Sequence, residues 1–174
     1  MSDEFKISLA QLNATVGDLS GNTQKVMEAW EIARDQRSDL IAFPELFITG
    51  YNPQDLILKT AFQKAATSSI DQIAKACAQG PAIAIGGPFY DENKLYNSYY
   101  ILADGKIQAV IKKHHLPNEE VFDEVRLFSS GNVDGPFQIG KMRIGSPICE
   151  DAWHTDIVET LVETGAQTLL VPNG

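Results

Sequence analysis

Tyr96-Asn97-Ser98-Tyr99-Tyr100-Ile101-Leu102, Ala103-Asp104-Gly105-Lys106, Ile107-Gln108-Ala109-Val110-Ile111-Lys112: two runs rich in aromatic and β-branched residues flank an Asp-Gly pair. Such runs favour strands, and Asp-Gly tolerates the positive φ angles of a tight hairpin turn, so the stretch predicts a β-hairpin. Upstream, Ala82 to Ile85 predicts a short buried strand broken by Gly86-Gly87-Pro88. Ala61 to Ala78 predicts a helix stopped at Gly80-Pro81, and Leu40 to Phe43 a buried strand before Pro44. Val26, Trp30 and Ala33 recur at helical spacing up to about Arg37, with Asp18 or Asn22 as cap. Phe5, Ile7 and Leu9 alternate with Lys6, Ser8 and Ala10, as in a first strand. Downstream, Phe137 to Ile139 and Met142 to Gly145 flank Gly140-Lys141 as a second hairpin. Asp156 to Thr164 then predicts a helix and Thr168 to Val171 a strand. Strands alternating with helices, interrupted by hairpins, imply an α/β layered domain with a mixed sheet. No internal repeat or low-complexity segment interrupts it. A core-type strand followed at once by Pro172-Asn173-Gly174 leads us to expect a fragment of a longer protein, truncated at its C-terminus. The competing expectation is a small complete domain with a C-terminal edge strand.

The 174 residues are 44% hydrophobic and 21% charged, the composition of one soluble core. The net charge of -9 argues against nucleic-acid or anionic-membrane partners, which want basic surface, while leaving a local anion site open. No apolar run is long enough to cross a membrane. Met1 to Lys6 is polar and acidic, unlike the basic-then-apolar start of a signal peptide. Two cysteines, Cys77 and Cys149, make no disulfide framework. A reducing, cytoplasmic setting is expected.

Three places look costly for structure alone. Glu45, after a buried strand and Pro44, lies where α/β folds put ligands, and burial would make it a better base. The competing reading is a glutamate at the start of a helix. Lys112-Lys113-His114-His115 follows the hairpin's second strand. Alternation sends the two lysines to opposite faces, so one can supply charge to an oxyanion while a solvated strand end remains the alternative. Adjacent histidines on an extended chain diverge and have no spaced partners, so no metal site is expected. Cys149 sits between a strand and a helix, as a nucleophile on a turn would, against the commoner role of a buried hydrophobe. Cys77, among alanines on a helix, is read as that hydrophobe. His154 is five residues from Cys149, unlike the spatially assembled Cys-His pairs of papain-like enzymes.

Taken together, Pro44-Glu45-Leu46, Lys113 with Leu116 three residues on, and Ile148-Cys149-Glu150-Asp151 resemble the nitrilase superfamily of carbon-nitrogen hydrolases. The resemblance implies an α-β-β-α sandwich and a catalytic Glu45, Lys113 and Cys149, leaving Lys112 outside the triad. Gly50-Tyr51-Asn52-Pro53-Gln54-Asp55-Leu56, Leu116-Pro117-Asn118, Val121-Phe122-Asp123-Glu124 with Arg126, and Cys149-Glu150-Asp151-Ala152-Trp153 are similar to the amidase half of glutamine-dependent NAD synthetases. The implied substrate-binding residues are Tyr51, Glu150, Trp153 (closing the pocket) and Glu119, with Glu124 orienting Lys113. One departure stands out. Relatives often carry an aromatic and a small residue after Pro-Asn, where this chain has Glu119-Glu120, which puts an aromatic substrate contact from this loop in doubt.

The implied reaction is hydrolysis of the glutamine side-chain amide, with Lys113 favouring the Cys149 thiolate. Residues 1–174 would be the N-terminal part of the glutaminase domain and need no cofactor. The ammonia would pass to the protein's own C-terminal synthetase domain, which uses ATP and Mg, and a homo-oligomer is expected. No Ser-Gly-Gly phosphate loop occurs within this chain. The alternatives are another nitrilase-type amidase, such as an ω-amidase or N-carbamoyl hydrolase, or a catalytically inert nitrilase-fold fragment.

Overall fold

The computed structural model describes residues 4–119 and 122–174. Glu120 and Val121, part of two of the quoted motifs, lie outside the described residues, as do Met1 to Asp3.

The strands are β1 (Ile7–Leu9), β2 (Leu40–Ala42), β3 (Ala82–Asp91), β4 (Lys94–Ala103), β5 (Lys106–Lys112), β6 (Phe137–Ile139), β7 (Met142–Gly145) and β8 (Thr168–Leu169). The first five form one mixed sheet in sequence order, with β1, β2 and β3 parallel and β3, β4 and β5 antiparallel. The last three form a second sheet in which β6 and β7 are antiparallel and β7 and β8 parallel. Helices α1 (Leu19–Asp35) and α2 (Thr60–Ala76) cover one face of the large sheet. Val26, Trp30, Ile70 and Ile73 pack there against Ile41, Phe43, Ile83, Ile85 and Tyr100. The opposite face, with Leu40, Ala84, Tyr99 and Ile111, packs against Phe137 and Ile144 of the small sheet. Helix α4 (Thr155–Glu163) buries Ile157 and Leu161 on the outer side, next to Gly145. The layers are therefore α-β-β-α, as the resemblance implied.

Local chemistry explains the elements. Asp18 caps α1 by accepting the Gly21 N–H at 2.8 Å. Asn22, the other proposed cap, is instead buried inside α1 and bonds Thr15 and the Ile48 carbonyl. Asp104 and Gly105 turn β4 into β5 with φ of 53° and 78°.

One expectation fails. Gly86-Gly87-Pro88 does not break β3, which runs on to Asp91 and pairs with β4 throughout. The glycine is there for approach and not for a turn. A Cβ on Gly86 would lie 2.1 Å from Leu46 N and 2.6 Å from the Glu45 carbonyl carbon. The chain after β2 therefore crosses directly against this point of the strand. A second difference is the β3–β4 hairpin at Glu92-Asn93, where φ reaches 47° and 64° without a glycine to signal it.

Candidate active site

Each strand of the site ends where its functional side chain begins. Glu45 follows β2, and its turn is fixed by Gly86 N–H donating to Pro44 O (3.2 Å) and by Ile48 N–H donating to Gly86 O (3.1 Å). Lys113 follows β5, and its N–H donates to Asn97 O of β4 at 2.9 Å. Cys149 follows β7 and opens a 3-10 turn, Cys149–Trp153, at φ 48°. A positive φ on a non-glycine costs on the order of 1–3 kcal/mol and is held in place by its surroundings. Here the Cys149 N–H donates to Pro172 O at 2.9 Å, and the Glu45 N–H donates to the next carbonyl, Asn173 O, at 3.2 Å. The segment after β8 thus ties both turns together.

The charged groups are buried together. Lys113 Nζ donates to Glu45 Oε1 at 2.7 Å and to Glu124 Oε1 at 2.8 Å. Lys113 is 0% exposed, Glu45 1% and Glu124 3%, so these ion pairs are fully buried. Burial pulls the Lys113 pKa down, but the charges of Glu45 and Glu124 outweigh it and the net shift is upward. Glu124, at the start of the short helix α3 (Glu124–Leu127), is pushed up by burial, against the pull of Lys113. Lys112 points away, to Asp91 at 3.0 Å and over the Tyr96 ring at 4.5 Å. The two lysines therefore take opposite faces, as alternation required, and Lys113, the one singled out by the resemblance, is the one paired with Glu45.

Cys149 is half-buried within range of Glu45, Lys113 and Glu124, all of which shift its acidity. Its thiol is pushed up to about 11, by burial first and the Glu45 carboxylate second, with Lys113 opposing both. Lys113 favours the thiolate, as expected, but burial and Glu45 outweigh it. Two carboxylates share the one ammonium, and desolvation disfavours the anion. Cys77, at the end of α2, is also pushed up to about 11 by burial, and its sulfur lies 3.5 Å from that of Met27.

The implied substrate residues divide between two cavities. One, of about 420 Å³, is lined by Glu45, Phe47, Tyr51 and Gly174. The Tyr51 hydroxyl is pushed well above its usual range by burial and then by Glu45, Glu124 and Cys149, which places it beside the triad. The other, of about 520 Å³, is lined by Glu119, Glu150, Phe122, His115 and His154 among others. Phe122 supplies this loop with an aromatic wall, two positions after the Glu119-Glu120 pair. Trp153 belongs to neither lining and is 83% exposed. The structure does not bring it to the pocket, because the 3-10 turn that presents Cys149 rotates Trp153 outward.

Two residues were missed. Asn97, 0% exposed on β4, donates from Nδ2 to Glu45 Oε1 (2.7 Å) and to Glu124 Oε2 (3.3 Å). An asparagine within a strand-like apolar run was the signal. Asp151, 3% exposed, accepts backbone N–H groups from His115 (2.7 Å), His114 (3.2 Å) and Ile148 (3.2 Å). Burial raises its pKa, and these bonds oppose the rise. Its carboxylate joins the segment after Lys113 to the Cys149 turn.

Asp151 also overturns the argument that His114 and His115 diverge. By collecting both backbone N–H groups it curls the chain, and the two rings sit 4.7 Å apart, edge to face. His115 stacks on His154 at 3.7 Å, and His154 in turn reaches Glu150 at 3.3 Å. Among the described residues, His114, His115 and Asp156 present ligand atoms within 4.8 Å of one another. Present partners account for them: His115 meets Asp156 at 3.1 Å, and His114 Nδ1 meets Gly131 O at 2.6 Å.

Between the two quoted loops, Arg126 pairs with Asp123 at 2.5 Å and with Asp55. No helix of the described residues is long and apolar enough to cross a membrane.

The chain is 49% identical over 174 residues to a glutamine-dependent NAD(+) synthetase of Rhodobacter capsulatus, spanning 100% of this chain and 32% of that protein. A solved glutamine-dependent NAD+ synthetase from Acinetobacter baumannii, in complex with ADP, superposes with a TM-score of 0.93 at 35% identity, over 98% of this chain and 32% of that one. The NitN amidase from Neterenkonia sp. AN1 shares the fold, with a TM-score of 0.84 at 24% identity over 98% of this chain and 67% of that one. The chain thus spans about a third of the length of the curated relatives it matches. A model of the carbon-nitrogen hydrolase family matches residues 6–174, and with Glu45 and Lys113 paired beside Cys149 the chain belongs to that family.

Proposed function

We propose that residues 1–174 are the N-terminal part of the glutaminase domain of a glutamine-dependent NAD synthetase. The observation that carries the reading is the sealed Glu45–Lys113 ion pair, at 2.7 Å, beside a thiol held on a strained turn. A base, a fixed cation and a nucleophile within reach of each other are the parts covalent amide hydrolysis needs.

Glu45 takes the Cys149 proton as the sulfur attacks the side-chain amide carbon of glutamine. Lys113 stabilises the oxyanion that forms. Collapse of the tetrahedral adduct, with the proton returned from Glu45 to nitrogen, releases ammonia and leaves a thioester. Glu45 then takes a proton from water, the hydroxide attacks the thioester, and glutamate leaves as the thiol is restored. Because the resting thiol is protonated, proton transfer accompanies attack. Glu119 and Glu150, facing one cavity, suit the ammonium of the amino acid, with Phe122 as its apolar wall, while Tyr51 lines the other cavity beside Glu45. Glu124 orients Lys113.

The ammonia passes to the protein's own synthetase domain, outside these residues, where ATP and Mg support amidation of nicotinic acid adenine dinucleotide. The setting is cytoplasmic and the assembly homo-oligomeric. The test is Cys149→Ala in the full-length protein, assayed for NAD formation with glutamine and with free ammonia. Glutamine-supported synthesis falls by several orders of magnitude, while ammonia-supported synthesis persists. Equal loss of both activities in a folded protein, or loss of neither, would refute the reading.

A further inference from the structure

We infer that Asn97 is a positioning residue that selects which oxygen of Glu45 serves as the base, an inference that rests on the glutaminase reading above. Asn97 Nδ2 and Lys113 Nζ both donate to the same atom, Glu45 Oε1, each at 2.7 Å. Glu45 Oε2 is buried and has no hydrogen-bond partner among the described residues. One oxygen is saturated by two donors and the other is left with its lone pairs free. A proton abstracted from a thiol can therefore go only to the second oxygen.

The orientation of Asn97 follows from its neighbours. Nδ2 faces two carboxylates, Glu45 and Glu124, whereas a flipped amide would set its oxygen against both. The other amide atom, Oδ1, is buried and unpartnered among the described residues. The carboxylates therefore win the donor at the cost of leaving an acceptor unsatisfied. Asn97 is also placed independently of its side chain, because its carbonyl receives the Lys113 N–H at 2.9 Å. One strand position thus sets the lysine by its backbone and both carboxylates by its amide. Lys113 alone leaves Glu45 free to pivot about a single contact. A second donor from a different direction fixes the plane of the carboxylate, which is what a base within reach of only one proton requires.

The experiment compares Asn97→Leu, which removes the donor at similar volume, with Asn97→Asp, which keeps the shape and replaces the donor by a third carboxylate. Both are made in the full-length protein. The readouts are glutamine-dependent ammonia release across pH and free-ammonia-dependent NAD formation as an internal control, normalised to folded protein. Asn97→Leu lowers kcat roughly 10–100-fold, the worth of one charge-assisted hydrogen bond, with KM changed little. It also moves the acid limb of the kcat/KM profile to higher pH. Asn97→Asp loses more than Asn97→Leu, although it is the closer match in shape. A role in folding alone would lower the folded fraction and leave kcat per folded protein and the pH profile in place. Either folded variant retaining kcat within twofold of wild type and the wild-type profile overturns the inference. So does failure of both variants to fold, which would make Asn97 a fold residue. Wild-type protein that releases no ammonia from glutamine would instead defeat the glutaminase reading itself.

Discussion

Gly86→Ala should disable the site by pushing the Glu45 turn off the strand it lies against. The added methyl would meet Leu46 N at 2.1 Å, the Glu45 carbonyl carbon at 2.6 Å and Pro44 O at 2.6 Å, all backbone atoms. Contacts under 3.0 Å are not tolerated, so strand and loop must part by at least 3.0 minus 2.1, about 0.9 Å. That parting strains the two hydrogen bonds between Gly86 and the Pro44–Ile48 turn. Overpacking and the weakened bonds together cost roughly 2–5 kcal/mol of stability. The catalytic loss is the sharper effect. Displacing a reacting group by about an ångström costs on the order of 100-fold. The neighbouring position supplies the control, because a methyl on Gly87 meets only side chains, the nearest being Ile48 Cγ2 at 2.9 Å, which can give way. The assay is ammonia release from glutamine at matched folded fraction, with thermal unfolding followed by circular dichroism. Gly86→Ala loses about 100-fold in kcat, and Gly87→Ala loses roughly tenfold or less. A folded Gly86→Ala protein within threefold of wild type would show that the loop does not depend on this approach.

Two further outcomes are expected. Asp151→Ala removes the acceptor of three backbone N–H groups, one buried and two partly so, offset by relief of a buried charge, for a net loss of roughly 2–4 kcal/mol. Denaturant unfolding measures it, and a midpoint equal to wild type would refute the clamp. Thiol labelling should separate binding from acidity, because Cys149 and Cys77 both titrate near 11. A glutamine-like electrophile labels Cys149 at neutral pH, competed by glutamine, while small alkylating agents react slowly with both until the pH approaches 11. Fast, glutamine-insensitive alkylation of Cys149 at pH 7 would contradict the protonated resting thiol.

Much of the frame was legible because its signals are local. Asp104-Gly105 announces its turn by residue type, and Leu116 three residues after Lys113 singles out the lysine that the structure pairs with Glu45. Lys112 and Lys113 then take opposite faces simply because β5 alternates. What was not legible depends on chain segments meeting far apart in sequence. Gly86 reads as a strand breaker until the Glu45 turn, 41 positions before it, is seen lying against it. Asn97 reads as one polar residue in an apolar run until Glu45 and Glu124 converge on its amide. Asp151 reads as a companion of the cysteine, yet its bonds reach His114 and His115. Trp153 was assigned to the pocket from motif membership, and membership does not fix which way a five-residue turn faces.

The acidity of Cys149 shows why pairwise reasoning from a sequence reaches its limit at this site. A lysine near a thiol favours the thiolate, and taken alone Lys113 does so. Yet Lys113 is already engaged by two buried carboxylates, and Glu45, the partner nearest the chemistry, is a negative charge beside the thiol. Burial adds to the same side, so the sum runs opposite to the single pair. The consequence is functional. A free thiolate in an open pocket would react with oxidants and chance electrophiles, whereas a protonated thiol beside a poised base reacts only when a carbonyl arrives to accept the sulfur's electrons. In the reaction we propose, negative charge leaves sulfur at that moment and appears on the substrate oxygen, where the Lys113 ammonium can meet it. On that proposal, the same cation that fails to ionise the resting thiol is kept for the charge that develops in the transition state.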